Sequence, residues 1–180
     1  MQFVTKRLII REFKLEDIAD VHKYASNPLV TRHMIWGPNT EEETKEYMEM
    51  VIGQQRQMVR QDFEFAVVLG GTGELIGGCG LHISGSRQGE MGYCFNHPYW
   101  GQGYATEAAG AMLRFGFQQL GLHRIYATCR PDNPGSAKVM QKNGMKYEGH
   151  LREHLWHRGK WHDSLQYSLL ESEFSAVEPR

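Results

Sequence analysis

The sequence lacks any apolar run approaching the ~20 residues that a membrane-spanning helix needs, and the basic residues of Met1 to Arg11 have no apolar stretch behind them. No membrane segment or secretory leader is therefore expected, and a cytoplasmic protein is predicted. Cysteine is scarce. Cys79, Cys94 and Cys129 lie 15 and 35 residues apart, too far for the close pairs of a zinc site and odd in number for a disulfide framework. They read as free thiols in a reducing compartment. An excess of one charge is missing too: 20 Lys and Arg face 21 Asp and Glu, for a formal net charge of -1. No overall field draws the chain to phosphate backbones or anionic lipid, so neither nucleic acid nor a membrane surface is expected as a partner. Repeats, linkers and low-complexity tracts are absent. What remains is 180 residues, 41% hydrophobic and 23% charged, which is the balance of one folded domain able to bury roughly 70% of its unfolded surface.

Period-2 and period-3.6 patterns alternate, the mark of a mixed α/β domain. Leu8 to Phe13 reads as a strand. Leu15 to Ser26 reads as a helix ended by Asn27-Pro28, and a Gly/Pro-containing aromatic loop runs from His33 to Asn39. Thr40 with Glu43 forms a capping box that opens a long helix, expected to reach Arg60. Phe63 to Leu69 and Leu75 to Ile83 form a hairpin around Gly70 to Gly73. After a polar loop, Ser84 to Gly89, come a strand from Glu90 to Phe95, a loop to Gly103, and a helix from Ala105 to Leu120 with Ala109, Met112, Leu113 and Gly116 on one stripe. Arg124 to Cys129 is a strand, and Asn133 caps a helix with Pro134 first and Asn143-Gly144 as its stop. Lys146 to Leu155 and His162 to Leu170 make a second hairpin, and the tail Glu171 to Arg180 reads as frayed.

The informative stretch is Glu90 to Phe95 followed by Trp100-Gly101-Gln102-Gly103-Tyr104-Ala105-Thr106 and the helix. Small residues at 101, 103 and 105 leave the first-turn N–H groups open to an anion such as a pyrophosphate. A plain glycine-rich turn is the alternative. No Lys-Ser or Lys-Thr pair follows the glycines, so a P-loop is excluded, and Thr106 stands where a dinucleotide fingerprint needs a small residue.

Together with Asn133-Pro134-Gly135-Ser136 and Lys142-Asn143-Gly144-Met145, this stretch resembles the GNAT superfamily of acetyl-CoA-dependent N-acetyltransferases, and the resemblance covers nearly the whole chain. The opening Thr5 to Arg11 and the closing Asp163-Ser164 resemble its RimJ/RimL branch, whose members acetylate N-terminal amines of ribosomal proteins. The resemblance implies a single α/β (α+β) domain, with a mixed, mostly antiparallel sheet of about seven strands, about four flanking helices and a splayed central strand pair at the cofactor cleft. It implies acetyl-CoA as cosubstrate and no metal. Backbone N–H groups of Gly101, Gln102, Gly103, Tyr104, Ala105 and Thr106 would hold the pyrophosphate. Phe95 and Asn96, on a strand edge splayed by a bulge, would pair with the pantetheine arm, and Asn133 would hold it from the other side. Trp100 counts among the expected cofactor-binding residues, although relatives often carry Gln or Arg in its place.

Acetyl transfer needs a deprotonated amine, a polarised carbonyl and a stabilised leaving thiolate. Glu90 is the candidate base by the resemblance, with a structural carboxylate as the plainer reading and Glu153 as the alternative base. The backbone N–H of Phe95 would polarise the carbonyl. Many relatives use a Tyr as general acid, but Met140 stands there, so Ser136 is the candidate for a hydrogen bond to the sulfur. His150, His154, His157 and His162 lack a recognisable metal-ligand spacing. Trp36, Tyr99, Trp156 and Trp161 are candidate walls of the acceptor pocket, or else plain packing. The expected reaction is direct attack by a primary amine, a small molecule or a protein N-terminus, in a ternary complex. Cys94 as an acylated nucleophile has no supporting His or Asp. Two alternatives stand beside it: a non-catalytic acyl-CoA-binding or sensing module, and a nucleotide-binding module. The apolar last hairpin would suit a homodimer.

Overall fold

The computed structural model describes residues 1–177, with side chains as far as Phe174. Eight strands form one sheet: β1 Gln2–Val4, β2 Leu8–Glu12, β3 Asp62–Leu69, β4 Leu75–Gly85, β5 Gln88–Phe95, β6 Arg124–Cys129, β7 Lys146–His157 and β8 Lys160–Leu170. Their order is β1-β2-β3-β4-β5-β6-β8-β7. Every neighbouring pair is antiparallel except β5 and β6, which run parallel because a helical crossover joins them.

The helices are α1 Ile18–Ala25, α2 Pro28–Thr31, α3 Glu41–Gln54, α4 Tyr104–Arg114, α5 Pro134–Lys142 and α6 Glu171–Val177. Strand alternation divides the sheet into two faces. Phe63, Phe65 and Val67 of β3 join Leu81, Met91 and Phe95 beneath α4, whose Ala109, Met112 and Leu113 are buried as the stripe predicts. Ala66 and Val68 face the other way, onto Val21 and Tyr24 of α1 and Met48 and Val51 of α3.

Several expectations are corrected. The sheet has eight strands, not about seven, because Gln2–Val4 adds an edge strand too short to show a period; Phe3 pairs with Ile10 and stacks on Phe65 at 5.3 Å and Phe115 at 5.1 Å. Among the described residues there are six α-helices where about four were expected. α2 is one extra turn begun by the Asn27 cap on Leu29 N–H. α6 replaces the frayed tail as far as Val177: Glu173 pairs with Lys146 at 2.5 Å, and Phe174 stacks on Phe117 at 5.0 Å. Residues 178–180 of that tail lie outside the described residues.

α3 ends at Gln54 rather than near Arg60. Its apolar face stops at Val51, Gly53 weakens the last turn, and Gln55 turns its side chain to the Phe13 carbonyl at 3.1 Å while Met58 and Val59 are left exposed. The predicted helix of residues 105–120 begins at Tyr104 and passes into a π turn over Phe115–Gln119. Gly116 sits where a Cβ would stand 2.5 Å from Ile125 Cδ1, so glycine there lets this turn lie close on β6. The polar loop before β5 shrinks to a tight turn at Ser86 and Arg87.

The central splay is present, without the bulge expected for it. β4 and β5 keep one register from Gly89 to Phe95. β5 and β6 pair only at Gln88–Arg124, Gly89–Ile125 and Glu90–Tyr126 and then part, since strands joined by a long crossover are not held together by a turn.

Candidate active site

The parting of β5 and β6 leaves a cleft whose vertex is the Glu90–Tyr126 rung. Asn96 N–H donates to the Ile76 carbonyl at 2.9 Å, which makes 96 and 76 a hydrogen-bonded pair. By the alternation of antiparallel ladders, the backbone groups of Phe95, Tyr93 and Met91 then face the cleft. An extended ligand would find donors and acceptors there. The Phe95 carbonyl already accepts from the Trp100 indole at 2.7 Å, so Phe95 offers its N–H, and the Asn96 N–H is turned into the sheet.

At the far end of the cleft, Gly101 and Gly103 adopt left-handed φ of 75° and 83°, and Gly103 caps α4 with no side chain closing the helix start. The first intrahelical bond is Glu107 N–H to the Gly103 carbonyl. The N–H groups of Tyr104, Ala105 and Thr106 precede it and have no intrahelical partner, which leaves them open to an anion. Gln102 folds its amide back to the Pro98 carbonyl at 2.9 Å.

Sequence reasoning missed what holds this loop. Arg7, from the β1–β2 turn, donates to Glu107 through Nε at 2.7 Å, to the Gln102 carbonyl through Nη1 at 2.9 Å, and lies 4.4 Å over the Tyr104 ring. Thr5 Oγ1 donates to the same carboxylate at 2.6 Å. Partial burial opposes ionisation of Glu107, but hydrogen bonds from Thr5 and Arg7 outweigh it and hold the carboxyl below its usual range. The acid in the first turn is thereby neutralised within the protein. Only the Thr5 to Arg11 resemblance pointed near it, because a contact spanning 100 residues leaves no local pattern.

On the opposite wall, Asn133 accepts from Ser136 N–H at 3.2 Å as the cap of α5. Ser136 Oγ lies 2.9 Å from the phenol of Tyr93, which also donates to the Ser136 carbonyl at 3.1 Å. Burial raises the Tyr93 phenol well above its usual value, with Ser136 opposing. Met140 is 0% exposed and purely apolar. The tyrosine hydroxyl near this wall therefore comes from Tyr93 of β5, whereas the family pattern would put one at Met140 of α5. Asn143 binds the Thr106 carbonyl at 3.2 Å, tying the end of α5 to the start of α4.

Glu90 turns toward the α1 and α3 face, where Tyr126 and Thr128 hydroxyls approach its carboxylate at 3.4 and 3.5 Å, long for hydrogen bonds. Glu153 sits apart from regular pairing, exposed at φ 48° in a register break of β7, with its N–H on Asp163. His150 pairs with Asp163 at 2.6 Å and His154 with Ser164 at 3.1 Å. His162 contacts the His157 carbonyl at 3.1 Å. Among the described residues no three His, Cys, Asp or Glu side chains converge as metal ligands. Trp156 and Trp161 stack edge to face at 5.4 Å and are 61% and 54% exposed at the hairpin tip, where Arg158 reaches the Gly37 carbonyl of the loop bearing Trp36. Tyr99 donates to Glu74 at 2.5 Å. Burial pushes the Cys94 thiol up to about 12, so it is not a thiolate at neutral pH.

Comparison with known proteins bears on this cleft. A family model described as the acetyltransferase (GNAT) domain matches residues 7–146. The N-acetyltransferase YnaD of Bacillus subtilis is 37% identical over 176 residues, covering 97% of this chain and all of the relative. A GNAT-family acetyltransferase from Bacillus anthracis superposes with a TM-score of 0.86 at 37% identity, covering 96% of this chain and 100% of that one. The fold is also that of a Vibrio cholerae spermidine N-acetyltransferase solved with CoA and spermine, with a TM-score of 0.81 at 22% identity over 95% of this chain and 99% of that one.

Proposed function

The chain belongs to the GNAT family of acetyl-CoA-dependent N-acetyltransferases, and from that premise we propose that it moves an acetyl group onto a primary amine by direct attack in a ternary complex. The observation that carries the reading is the cleft that opens at the Glu90–Tyr126 rung and ends at the uncapped start of α4. The residues fit the cosubstrate. Pyrophosphate meets the N–H groups of Gly101 through Thr106, and the pantetheine arm lies along the Tyr93–Phe95 edge with the Asn133 side chain across from it. Trp100 takes no phosphate in this reading; it fixes the Phe95 carbonyl and leaves the Phe95 N–H to polarise the thioester. Glu90 stands at the vertex as the carboxylate that takes the surplus N–H proton as the C–N bond forms and relays it toward the departing sulfur. Ser136, paired with Tyr93, hydrogen-bonds the departing sulfur. The Cys94 thiol is protonated and takes no acetyl group.

For the acceptor we propose a small-molecule amine or a protein N-terminus. Relatives are named for both kinds, spermidine in Escherichia coli and ribosomal protein S5 in Vibrio fischeri, the latter in line with the RimJ/RimL resemblance. Thermal unfolding with acetyl-CoA, coenzyme A, ATP and NAD, each saturating, tests the site. Acetyl-CoA and coenzyme A at 100 times Kd raise stability by about 2.7 kcal/mol, and ATP and NAD do not. A shift with ATP or NAD alone sinks the reading. Release of coenzyme A thiol across a panel of amines and peptides then finds the acceptor. Turnover with none of them, despite acetyl-CoA binding, returns the protein to a sensing module.

A further inference from the structure

The sheet face toward which Glu90 turns carries a second carboxylate that neither the motifs nor the resemblance singled out. Strand alternation puts Glu64 of β3, Gly78 and Gly80 of β4, and Glu90, Gly92 and Cys94 of β5 on the face covered by α1 and α3. Glu64, Gly80 and Gly92 form one cross-strand row. Two adjacent glycines keep that row free of side chains for two strand spacings, about 10 Å. A Cβ built on Gly80 would stand 2.7 Å from the Glu64 carboxylate, so the acid leans across β4 toward β5. A Cβ built on Gly92 would meet nothing within 4 Å, so the next place in the row is open.

Asp62 lies on the same strand as Glu64, Arg60 just before it, and His82 on β4, paired with Asp62 at 2.5 Å. Tyr24 of α1 and Tyr47 of α3 lie above, both phenols raised first by burial and further by the charge of Glu64. Cys94 and Glu90 share the face from β5. Among the described residues no hydrogen bond is made to the Glu64 carboxylate. Burial pushes it up to about 7, Asp62 adding to the shift and Arg60 and His82 opposing it. Glu64 is partly buried, and a carboxylate drawn in from water without a hydrogen-bond partner is costly for a fold and is characteristic of functional sites.

We propose that Glu64 is a second catalytic carboxylate of the acetyl transfer, touching the ammonium of an acceptor seated over Gly92 and accepting its proton before attack. The proposal rests on the acetyltransferase reading. The proton of R–NH3+ passes to the carboxylate, giving R–NH2 and protonated Glu64. The amine lone pair forms the C–N bond at the thioester carbonyl. The C–S bond breaks with its electron pair on sulfur, and the surplus N–H proton of the intermediate ends on that sulfur as coenzyme A thiol. Glu64 then returns its proton to water. A carboxyl that titrates near neutrality accepts a proton from an ammonium far more readily than an ordinary one.

The test uses the full chain, with spermidine and n-butylamine as probe amines. Acetyl-CoA stabilises the native chain and Glu64→Gln equally, showing the variant folded with its cosubstrate site intact. Thiol release from pH 5.5 to 9 shows an acid limb with its midpoint near 7 in the native chain, and Glu90→Gln lowers kcat while keeping the midpoint of that limb. Glu64→Gln loses that limb and at least 100-fold in kcat, with KM for acetyl-CoA within threefold. In 13C spectra of the native chain one glutamate carboxyl titrates near 7, is missing in Glu64→Gln, and moves when either amine is added. A limb that survives in Glu64→Gln, a carboxyl indifferent to both amines, or binding of both without thiol release overturns the role of Glu64 alone. Failure of acetyl-CoA to stabilise the native chain overturns the acetyltransferase reading beneath it.

Discussion

Glu64 shows how a single side chain sets a measurable property of the fold. Its carboxyl titrates near 4.5 in an unfolded chain and near 7 in the native one, chiefly through burial. Between those values the unfolded state has released a proton that the native state keeps. Stability therefore falls as pH rises from about 4.5 to about 7, by at most about 3 kcal/mol, and the penalty stands in full above that. Glu64→Gln removes it, so urea unfolding at pH 8 finds the variant more stable than the native chain, with the gap closing toward pH 4.5. An unchanged gap across that range refutes the buried charge. Tyr93 makes the opposite kind of contribution. Tyr93→Phe deletes a hydroxyl that bonds Ser136 in a mostly enclosed place, and a loss of about 1 kcal/mol in the same measurement is expected. A lower kcat with unchanged KM for acetyl-CoA marks the Ser136–Tyr93 pair as acting on the leaving sulfur; an unchanged kcat confines the pair to structure.

Elements meet at the start of α4. The loop Gly101–Gly103 has two left-handed glycines and no side-chain cap, an arrangement that costs helix stability and leaves donors bare. Arg7 offsets this by joining the β1–β2 turn to Glu107, Gln102 and the Tyr104 ring. Arg7→Ala leaves Glu107 with only the Thr5 hydroxyl and the residue-7 N–H, without a cation, beside the proposed pyrophosphate site and frees the loop. Titration calorimetry is expected to show coenzyme A binding weakened about tenfold, or about 1.4 kcal/mol. Equal affinity in the variant means that the loop holds its shape without Arg7. The capping box at Thr40 and the Asn133-Pro134 start are local devices, and both were readable because a cap and its partner lie within three residues. The end of α3 was not, since it depends on where β3 must begin.

Across the whole molecule, the proposed function depends on the one parallel pair in the otherwise antiparallel sheet of the described residues. The crossover through α4 lets β5 and β6 separate after three rungs, and the separation exposes backbone groups that an extended ligand can pair with. Hydrogen exchange tests this at the scale it belongs to. Saturating acetyl-CoA slows exchange at Tyr93, Phe95 and the first turn of α4 and leaves β1 to β3 unaffected. Uniform slowing across the sheet indicates global stabilisation with no ligand in the cleft.

By itself the sequence determined the alternation of strands and helices, the caps, the glycine-rich helix start and the family, because each is carried by residues a few positions apart. The family resemblance also fixed where acetyl-CoA was to be sought. Tertiary structure decided the edge strand of Gln2–Val4, the tail helix as far as Val177, the clamp of Arg7 on Glu107, the pairing of Tyr93 with Ser136, and the place of Glu64 in a glycine-floored row. Each of these depends on contacts between residues distant in the chain. Glu64 in particular reads as an ordinary charge on a strand until β4 and β5 are laid beside it, when the two glycines opposite leave its carboxylate half-buried, without a hydrogen bond among the described residues and facing an open row.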